Sequence, residues 1–589
     1  MEPTAKRWRL KPAADERAAA ELVHERCPPP AARLLVQRGL STREAASRFF
    51  RPSLGDLHDP FLMRDMDRAV ERLERALGDN ERIMVYGDYD VDGTTAVALV
   101  YSFLHHFTGN LVFYIPDRYA EGYGLSIAGI DHAAREGVSL IIALDCGIKA
   151  IDKVAYAGEK GIDVIICDHH RPGAELPTAV AVLDPKRADC AYPEKELSGC
   201  GIGFKLMQAL AQRNGIPGSE LEALLDLVAI STACDIVPVV GENRILMHHG
   251  LRRLNERGRP GVQAMLGAAN VHKRLTVTDV VFGIGPRINA AGRMEHGRQA
   301  VELLLARDMG QAEMMAQRID MNNADRQQAD RSITEAALGH IAADEDLRRS
   351  WSTVVYHESW HKGVIGIVAS RLTERYYRPT VVLTASNGKA VGSARSVKGY
   401  DVYEAISSCS ALLDQYGGHM YAAGLTMPLE NVEAFRARFE EVVRATIRPE
   451  QRVPEEEVDL ELALTDITHP LVRVLHHMAP YGPGNMRPTF LTRGVTVVGE
   501  PKVVKDEHLK MALGDPAFPG LKFDAIAFRM ADRIDVVRSG EPFSILYVLE
   551  ENEWRGNTTI QLNIKDIKPG VSNVLAGEEE HTPAMERST

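Results

Sequence analysis

Arg82-Ile83-Met84-Val85-Tyr86-Gly87-Asp88-Tyr89-Asp90-Val91-Asp92-Gly93 joins a short apolar run to an acidic turn. Two later stretches repeat the arrangement. Leu140-Ile141-Ile142-Ala143-Leu144 leads into Asp145-Cys146-Gly147, and Asp163-Val164-Ile165-Ile166-Cys167 leads into Asp168-His169-His170. Short β-branched runs that alternate with helical patterns read as parallel strands of a βαβ sheet, whose carboxyl ends gather side chains along one edge. Helical periodicity over 221–234 brings Asp235 to the same region at a helix end. Crowded carboxylates raise one another's pKa and repel, so divalent cations are their natural partners. Several Asp together with a His favour Mn²⁺ or Mg²⁺ over a thiolate-bound zinc.

Simpler readings of the single clusters exist. Asp88-x-Asp90-x-Asp92-Gly93 has the opening of a calcium-binding EF-hand loop, but that loop needs a Glu at its twelfth position, here Leu99, and a helix before it. Both requirements fail. An Asp-rich turn capping the helix that starts near Thr94 would explain the first cluster alone, and a solvated His pair would explain 169–170 alone. Neither explains four clusters at strand and helix ends.

The 589 residues, 45% hydrophobic and 25% charged, indicate a soluble globular chain of about three or four domains. No apolar run reaches the roughly 18 residues of a membrane span, and Met1 to Arg17 has no apolar signal core, so a cytoplasmic location is expected with no membrane partner. Seven Cys without a Cys-x-x-Cys pair argue against a disulfide framework or a structural zinc. The net charge of −12 counts at first against nucleic acid. Much of it comes from the Asp clusters and Glu455-Glu456-Glu457, whereas a groove needs only local positive charge.

Along the chain, an N-terminal segment (1–81) with a helical pattern from Ala31 to Phe50 precedes a parallel-sheet α/β domain (82–307). Asp308 to Ala343 lacks Pro and is rich in Ala, Met, Gln and charge, which predicts one long bridging helix within 308–345. A second α/β domain (346–453) follows. A composition break at Pro454 opens a unit (454–571) whose alternating runs suggest a small antiparallel barrel, and 572–589 reads as a disordered tail.

The ordered set of motifs resembles the DHH phosphoesterase superfamily, and within it the single-strand-specific 5′ to 3′ DNA exonucleases. Besides the acidic clusters, the set includes Gly285-Pro286-Arg287-Ile288-Asn289-Ala290-Ala291-Gly292-Arg293, Gly392-Ser393-Ala394-Arg395-Ser396, Gly417-Gly418-His419 and Tyr481-Gly482-Pro483-Gly484-Asn485. Many members of the superfamily place a His four residues before the first ligand Asp, where this chain has Tyr86, a departure shared by the exonuclease branch. The resemblance implies a DHH catalytic domain, a DHHA1-like nucleic-acid-binding domain and a C-terminal OB-fold.

It also implies two Mn²⁺ or Mg²⁺ ions, about 3.5 to 4 Å apart, which bridge an attacking water and the scissile phosphate. Asp145 is best placed to bridge them, with Asp90 on the first ion and Asp92, His169 and Asp235 on the second. Asp88 and Asp168 would orient these ligands and His170 would touch a substrate phosphate. Ser393 and Arg395, two apart on a strand, would face the same way and hold a terminal phosphate together with Arg118. Arg287 and Asn289 would add backbone contacts, Gly418 and His419 would approach a phosphate, and Phe523 or Phe528 on the barrel would stack bases. The expected partner is single-stranded DNA, handled by a monomer beside single-strand-binding and helicase proteins in recombination and repair. Two other readings fit parts of the pattern: a DHH phosphodiesterase acting on short oligonucleotides or cyclic dinucleotides, and a non-enzymatic single-strand-binding scaffold.

Overall fold

The computed structural model describes residues 6–554, 556–572, 574 and 575. Strand β1 (Arg7–Leu10), the first described element, lies outside the catalytic sheet. That sheet consists of β2 (Ile83–Gly87), β3 (Leu111–Tyr114), β4 (Leu140–Leu144), β5 (Asp163–Cys167) and β6 (Ala181–Leu183), in the order β3-β2-β4-β5-β6 and parallel throughout. All residues of β2 and β4 are buried, because helices cover both faces of the sheet. Connections run one way from β2 to β3 and the other way from β4 onward. The switch point between β2 and β4 is where such sheets form a crevice beyond the strand ends.

The helix Met309–Ala343 is a single 35-residue element, capped by Asp308, whose carboxylate accepts from Gln311 N. At 1.5 Å per residue it is roughly 50 Å long. It is pinned from both sides: Arg287 of the catalytic domain reaches Asp320 at 2.7 Å, and Arg371 of the second domain reaches the buried Asp330 at 2.6 Å. The second domain is built on β7 (Thr353–Tyr356), β8 (Thr380–Ser386), β9 (Lys389–Arg395), β10 (Gln415–His419) and β11 (Ala422–Pro428), ordered β10-β11-β9-β8-β7, with only β7 and β8 parallel.

The last unit contains β12 (Glu455–Val458), β13 (Leu460–Glu461), β14 (Phe490–Val497), β15 (Lys502–Val504), β16 (His508–Gly514), β17 (Lys522–Ala527), β18 (Phe543–Trp554) and β19 (Asn557–Pro569). Strands β14-β18-β19-β17-β16 form a ring closed by a β14–β16 pairing, a five-stranded barrel of OB type. No helix among the described residues is long and apolar enough to cross a membrane.

Three expectations need correction. The helical pattern at 31–50 is two helices, Pro29–Gln37 and Arg43–Phe50, because Gly39 turns into the left-handed region (φ 78°) and Thr42 caps a new start. The pattern at 221–234 is likewise broken into Gly218–Glu222 and Leu225–Cys234. Chain after 572 is not all tail, since Val574 is buried beside Trp8 and Leu575 bridges to it; 576–589 lie outside the described residues.

The N-terminal segment divides between two bodies. Leu34 and Leu35 pack into the barrel's core, whereas Met66 to Ala76 joins the core of the catalytic domain. Strand β1 pairs in parallel with β12, matching Arg7, Trp8 and Arg9 with Glu455, Glu456 and Glu457. Lys6, Arg9 and Lys398 bridge to those glutamates from distant parts of the chain, so the acidic run is neutralised rather than free to repel DNA. Arg244, on the helix Gly241–Arg257, welds the barrel unit to the catalytic domain. Its guanidinium lies over Phe49 at 3.7 Å and donates to the carbonyls of Phe49, Met478, Ala479 and Pro480. Arg244→Met keeps the stem but takes a donor from each of four carbonyls, of which Met478 O and Pro480 O keep Asn485 Nδ2. It should weaken this junction by roughly 3 kcal/mol, seen in calorimetry as a barrel transition that splits off at lower temperature; an unchanged single transition would count against the weld.

Candidate active site

The catalytic strands deliver their acids by different local means. Asp90 caps the helix Val91–Leu104 by accepting from Gly93 N, which puts Asp92 in the first turn of that helix. Asp92 is then aimed by three donors: Gly199 N (2.6 Å) and Cys200 N (2.8 Å) at the start of the helix Gly199–Asn214, and Ser231 Oγ (2.6 Å). A helix N-terminus receives a carboxylate well. Asp145 follows β4 in the left-handed region at φ 57°. A Cβ on Gly199 would stand 2.6 Å from that of Asp145, so this glycine allows the helix to approach.

Around His169 the groups converge. Its Nε2 lies 3.2 Å from Asp145 Oδ1, 3.5 Å from Asp235 Oδ2 and 3.7 Å from Asp92 Oδ2. Among the described residues, Asp92–His169–Asp235 and Asp145–His169–His170 each offer three ligand atoms within 4.8 Å of one another. Both ring nitrogens of His169 and Oδ1 of Asp145 are buried without a hydrogen-bond partner. Such atoms cost free energy unless something fills the site, and a divalent cation suits this oxygen-rich donor set. Burial keeps the His169 imidazole neutral, the form that ligates.

The supporting groups differ in how fully they are satisfied. Asp168 accepts from Ile148 N, His169 N, His170 N and His170 Nδ1. Burial alone would raise its pKa, but these bonds, led by His170, bring it below the usual carboxylate range. His170 is raised in turn, because Asp168 at 2.8 Å outweighs its desolvation. Asp88 is buried, accepts from Gly124 N and leaves Oδ2 unpartnered.

A cavity of about 270 Å³ opens on this centre and is lined by Asp90, Asp92, Asp235, Arg118, Asn289 and Arg293, among others. Arg118 lies over the Tyr89 ring at 4.7 Å. Arg395 donates to Ser393 Oγ at 3.0 Å, and the first turn of the helix Ile365–Tyr376 lies against both, since a Cβ on Gly366 would be 3.0 Å from each. Burial first, then the fields of Arg118, Arg326 and Arg395, bring the Arg293 guanidinium down to about 10. Arg395 is lowered by burial and by Arg118. Buried cations that repel one another at a helix N-terminus form a site for an anion.

Arg293 was not among the expected site residues, although it ends the glycine-rich motif at 285–293. It sits four residues after Asn289 on the helix Gly285–Met294, which puts both on one face. Arg287 does not join them: two residues from Asn289 it points elsewhere, and its guanidinium is taken by Asp320 and Gly283 O. His419, Ala422 and Arg395 lie directly opposite one another on β10, β11 and β9, so they share a face with Ser393, Gly424 and Gly417. Gly418 takes φ 147°, and a side chain there would strike Ala423.

Such an acid and imidazole edge on a parallel sheet, facing an arginine pocket, defines a metal-dependent phosphoesterase. The DHH family, N-terminal domain, matches residues 82–232; the DHHA1 domain matches 351–445 and the RecJ OB domain 458–566. The single-stranded-DNA-specific exonuclease RecJ of Bacillus subtilis is 36% identical over 567 residues, covering 95% of this chain and 70% of that protein. Its namesake in Escherichia coli is 34% identical over 567 residues, covering 92% and 96%. RecJ from Thermus thermophilus in complex with Mn²⁺ has a TM-score of 0.83 at 28% identity, over 96% of this chain and 80% of that one. The complex of the same protein with Mg²⁺ gives 0.76 at 27% identity, over 96% and 79%. The chain belongs to the RecJ family of single-stranded-DNA-specific exonucleases.

Burial, reinforced by neighbouring carboxylates, raises Asp88, Asp90, Asp145 and Asp235, the last to about 9. A metal ion must therefore displace protons. Mn²⁺ affinity should rise with pH up to about 9, as read by electron paramagnetic resonance titration at about pH 6.5 and 8.5. Raised carboxyls bind more protons folded than unfolded, so metal-free stability should fall as pH climbs from about 4 toward 9. A pH-independent Mn²⁺ affinity would contradict the electrostatic picture.

Proposed function

We propose that this chain degrades single-stranded DNA from its 5′ end, with Mn²⁺ or Mg²⁺ held by Asp90, Asp92, Asp145, His169 and Asp235. The reading of polarity rests on one observation: the arginine pocket of Arg118, Arg293, Ser393 and Arg395 adjoins the acidic centre. A terminal phosphate seated among these guanidiniums leaves the next phosphodiester over the carboxylates. Cleavage there releases one nucleotide and presents a new 5′ phosphate to the same pocket.

Bound metal ions acidify a water and neutralise charge on the scissile phosphate. Asp145 reaches toward both ligand groups, and so would serve both ions. Asp168 anchors the loop that carries His169 and His170. His170, whose Nδ1 meets Asp168 at 2.8 Å and lies 3.3 Å from the Tyr123 hydroxyl, is half-exposed, and Asp168 raises its pKa against the opposing effect of burial, which favours the form that donates to a phosphate oxygen. Asp88 fixes the Gly124 turn, whose neighbour Tyr123 donates to Asp145 O at 2.7 Å.

The face of β10, β11 and β9 that carries His419 and Arg395 would guide the following backbone over a floor of small residues. On the barrel, Phe528 is half-exposed and available for stacking, whereas Phe523 packs against the core. An enzyme confined to single strands must be supplied with them. A duplex-opening helicase and a single-strand-binding protein are its natural companions in the cytoplasm, for a chain acting as a monomer in recombination and repair. The closed barrel and 35-residue bridge favour long strands over short oligonucleotides or cyclic dinucleotides as substrates.

Asp145→Ala should remain folded and lose hydrolysis by roughly a thousandfold or more, the scale expected for a principal electrostatic stabiliser; near-normal turnover by the folded variant would rule out its ligand role. Arg395→Ala should shrink, by roughly tenfold or more, the preference for strands bearing a terminal phosphate over strands ending in a free hydroxyl, compared through their specificity constants. Preferential digestion from 3′ ends by the unaltered protein would show the pocket to be misassigned.

A further inference from the structure

We infer that the barrel's turn Tyr481-Gly482-Pro483-Gly484-Asn485 is a positioning element for Asp235, so that the C-terminal unit sets the geometry of a metal ligand it does not contain. The inference rests on the reading of Asp235 as a ligand.

Asp235 is the least constrained member of the acidic centre. Asp92 receives three donors and Asp168 four, but among the described residues no hydrogen bond holds the Asp235 carboxylate, whose side chain is 28% exposed. Its direction must come from the backbone. Upstream, Asp235 N donates to Ser231 O as the helix Leu225–Cys234 ends. Downstream comes Ile236, a β-branched residue in the left-handed region (φ 61°) and 65% exposed. That conformation is strained for such a side chain and persists only where the surroundings impose it. An exposed Ile236 has little packing of its own to do so.

The constraint arrives three residues later, from the barrel unit. Val239 N donates to Pro483 O at 2.7 Å, and the Val239 side chain is fully buried. Both glycines of the turn are needed for this approach. A Cβ on Gly482 would stand 2.5 Å from Val239 Cγ2, and one on Gly484 would stand 3.0 Å from Val240 Cγ1. The turn is itself fastened: Asn485 Nδ2 donates to Met478 O (2.9 Å) and Pro480 O (3.0 Å), while Arg38 Nε donates to Asn485 Oδ1. Arg244, five residues beyond Val239, grips the carbonyls on the turn's near side. The backbone from Asp235 to Val239 is thus stretched between Ser231 and Pro483, and the strained residue in between transmits the barrel's position to the carboxylate.

The test is Gly482→Ala. The φ of Gly482 is not positive, so alanine meets no backbone strain there and its methyl acts only by pushing Val239. Mn²⁺ binding without DNA, followed by electron paramagnetic resonance, should weaken by roughly tenfold or more, the range for loss of a group that orients a ligand. The Mn²⁺ concentration for half-maximal hydrolysis should rise in parallel, with the Michaelis constant for DNA unchanged. Adding Val239→Ala removes the opposing methyls and should restore Mn²⁺ affinity. Asn485→Ala loosens the turn instead of pushing it and should act in the same direction, which keeps the test available if Gly482→Ala fails to fold. A folded variant of either kind with unaltered Mn²⁺ affinity overturns the inference, as does a Gly482→Ala defect that Val239→Ala leaves in place. Asp235→Ala separates the two levels: if it binds Mn²⁺ normally the ligand assignment fails, and if it loses Mn²⁺ while the turn variants keep it, only the positioning role fails.

Discussion

Burying several carboxylates beside one another is unfavourable unless cations compensate, and much of this molecule can be understood as the means of enforcing that arrangement. The parallel sheet supplies three strand ends, and helix starts and backbone amides hold Asp92 and Asp168 in place. What remains unsatisfied is concentrated at His169 and Asp145, where orphaned atoms face one another. The opposite charge is stored next door, where burial first, and then the field of Arg118, lower the proton affinity of Arg293 and Arg395. A polyanion whose phosphates repeat at intervals would answer both needs, its end on the arginines and its interior over the acidic centre, as proposed above.

The arginine pocket is itself divided between two domains. Arg118 and Arg293 come from the catalytic domain, whereas Ser393 and Arg395 come from β9 of the second. Their register depends on the long helix, to which Arg287 and Arg371 each bind through a short ion pair. Direct contacts add to it: Tyr119 donates to Arg293 O, and Arg293 donates to Gly363 O. Rigid coupling of this kind fixes the spacing between the arginine pocket and the acidic centre.

Strands β2, β4 and β5 were legible because each is an apolar run ending in acids, a pattern that local chemistry dictates. The helix Met309–Ala343 was legible within a residue, since a Pro-free stretch closed by an Asp cap leaves little else. The convergence of Asp92, Asp145 and His169 could be read from topology, because parallel strands must place their ends together, whereas the expected division of ligands between two ions came from the family resemblance. Arg287 misled, since a guanidinium in a glycine-rich motif carries no mark of whether its partner is phosphate or Asp320. Arg293 escaped notice for want of a helix assignment at 285–294, which alone reveals its common face with Asn289. The division of the N-terminal segment was invisible for a different reason. Pairing of Arg7 with Glu455 is a contact between distant parts of the chain, and no local pattern encodes it.

That pairing has a consequence for how the protein is born. Trp8 is fully buried among Val458, Leu491, Leu546 and Val574, so its pocket does not exist until synthesis has passed Val574. At roughly 5–20 residues per second, the first strand waits about half a minute or longer for its neighbour. Until then the large apolar side chain of Trp8 lacks the partners that bury it, so closure of this pocket is a late event in folding.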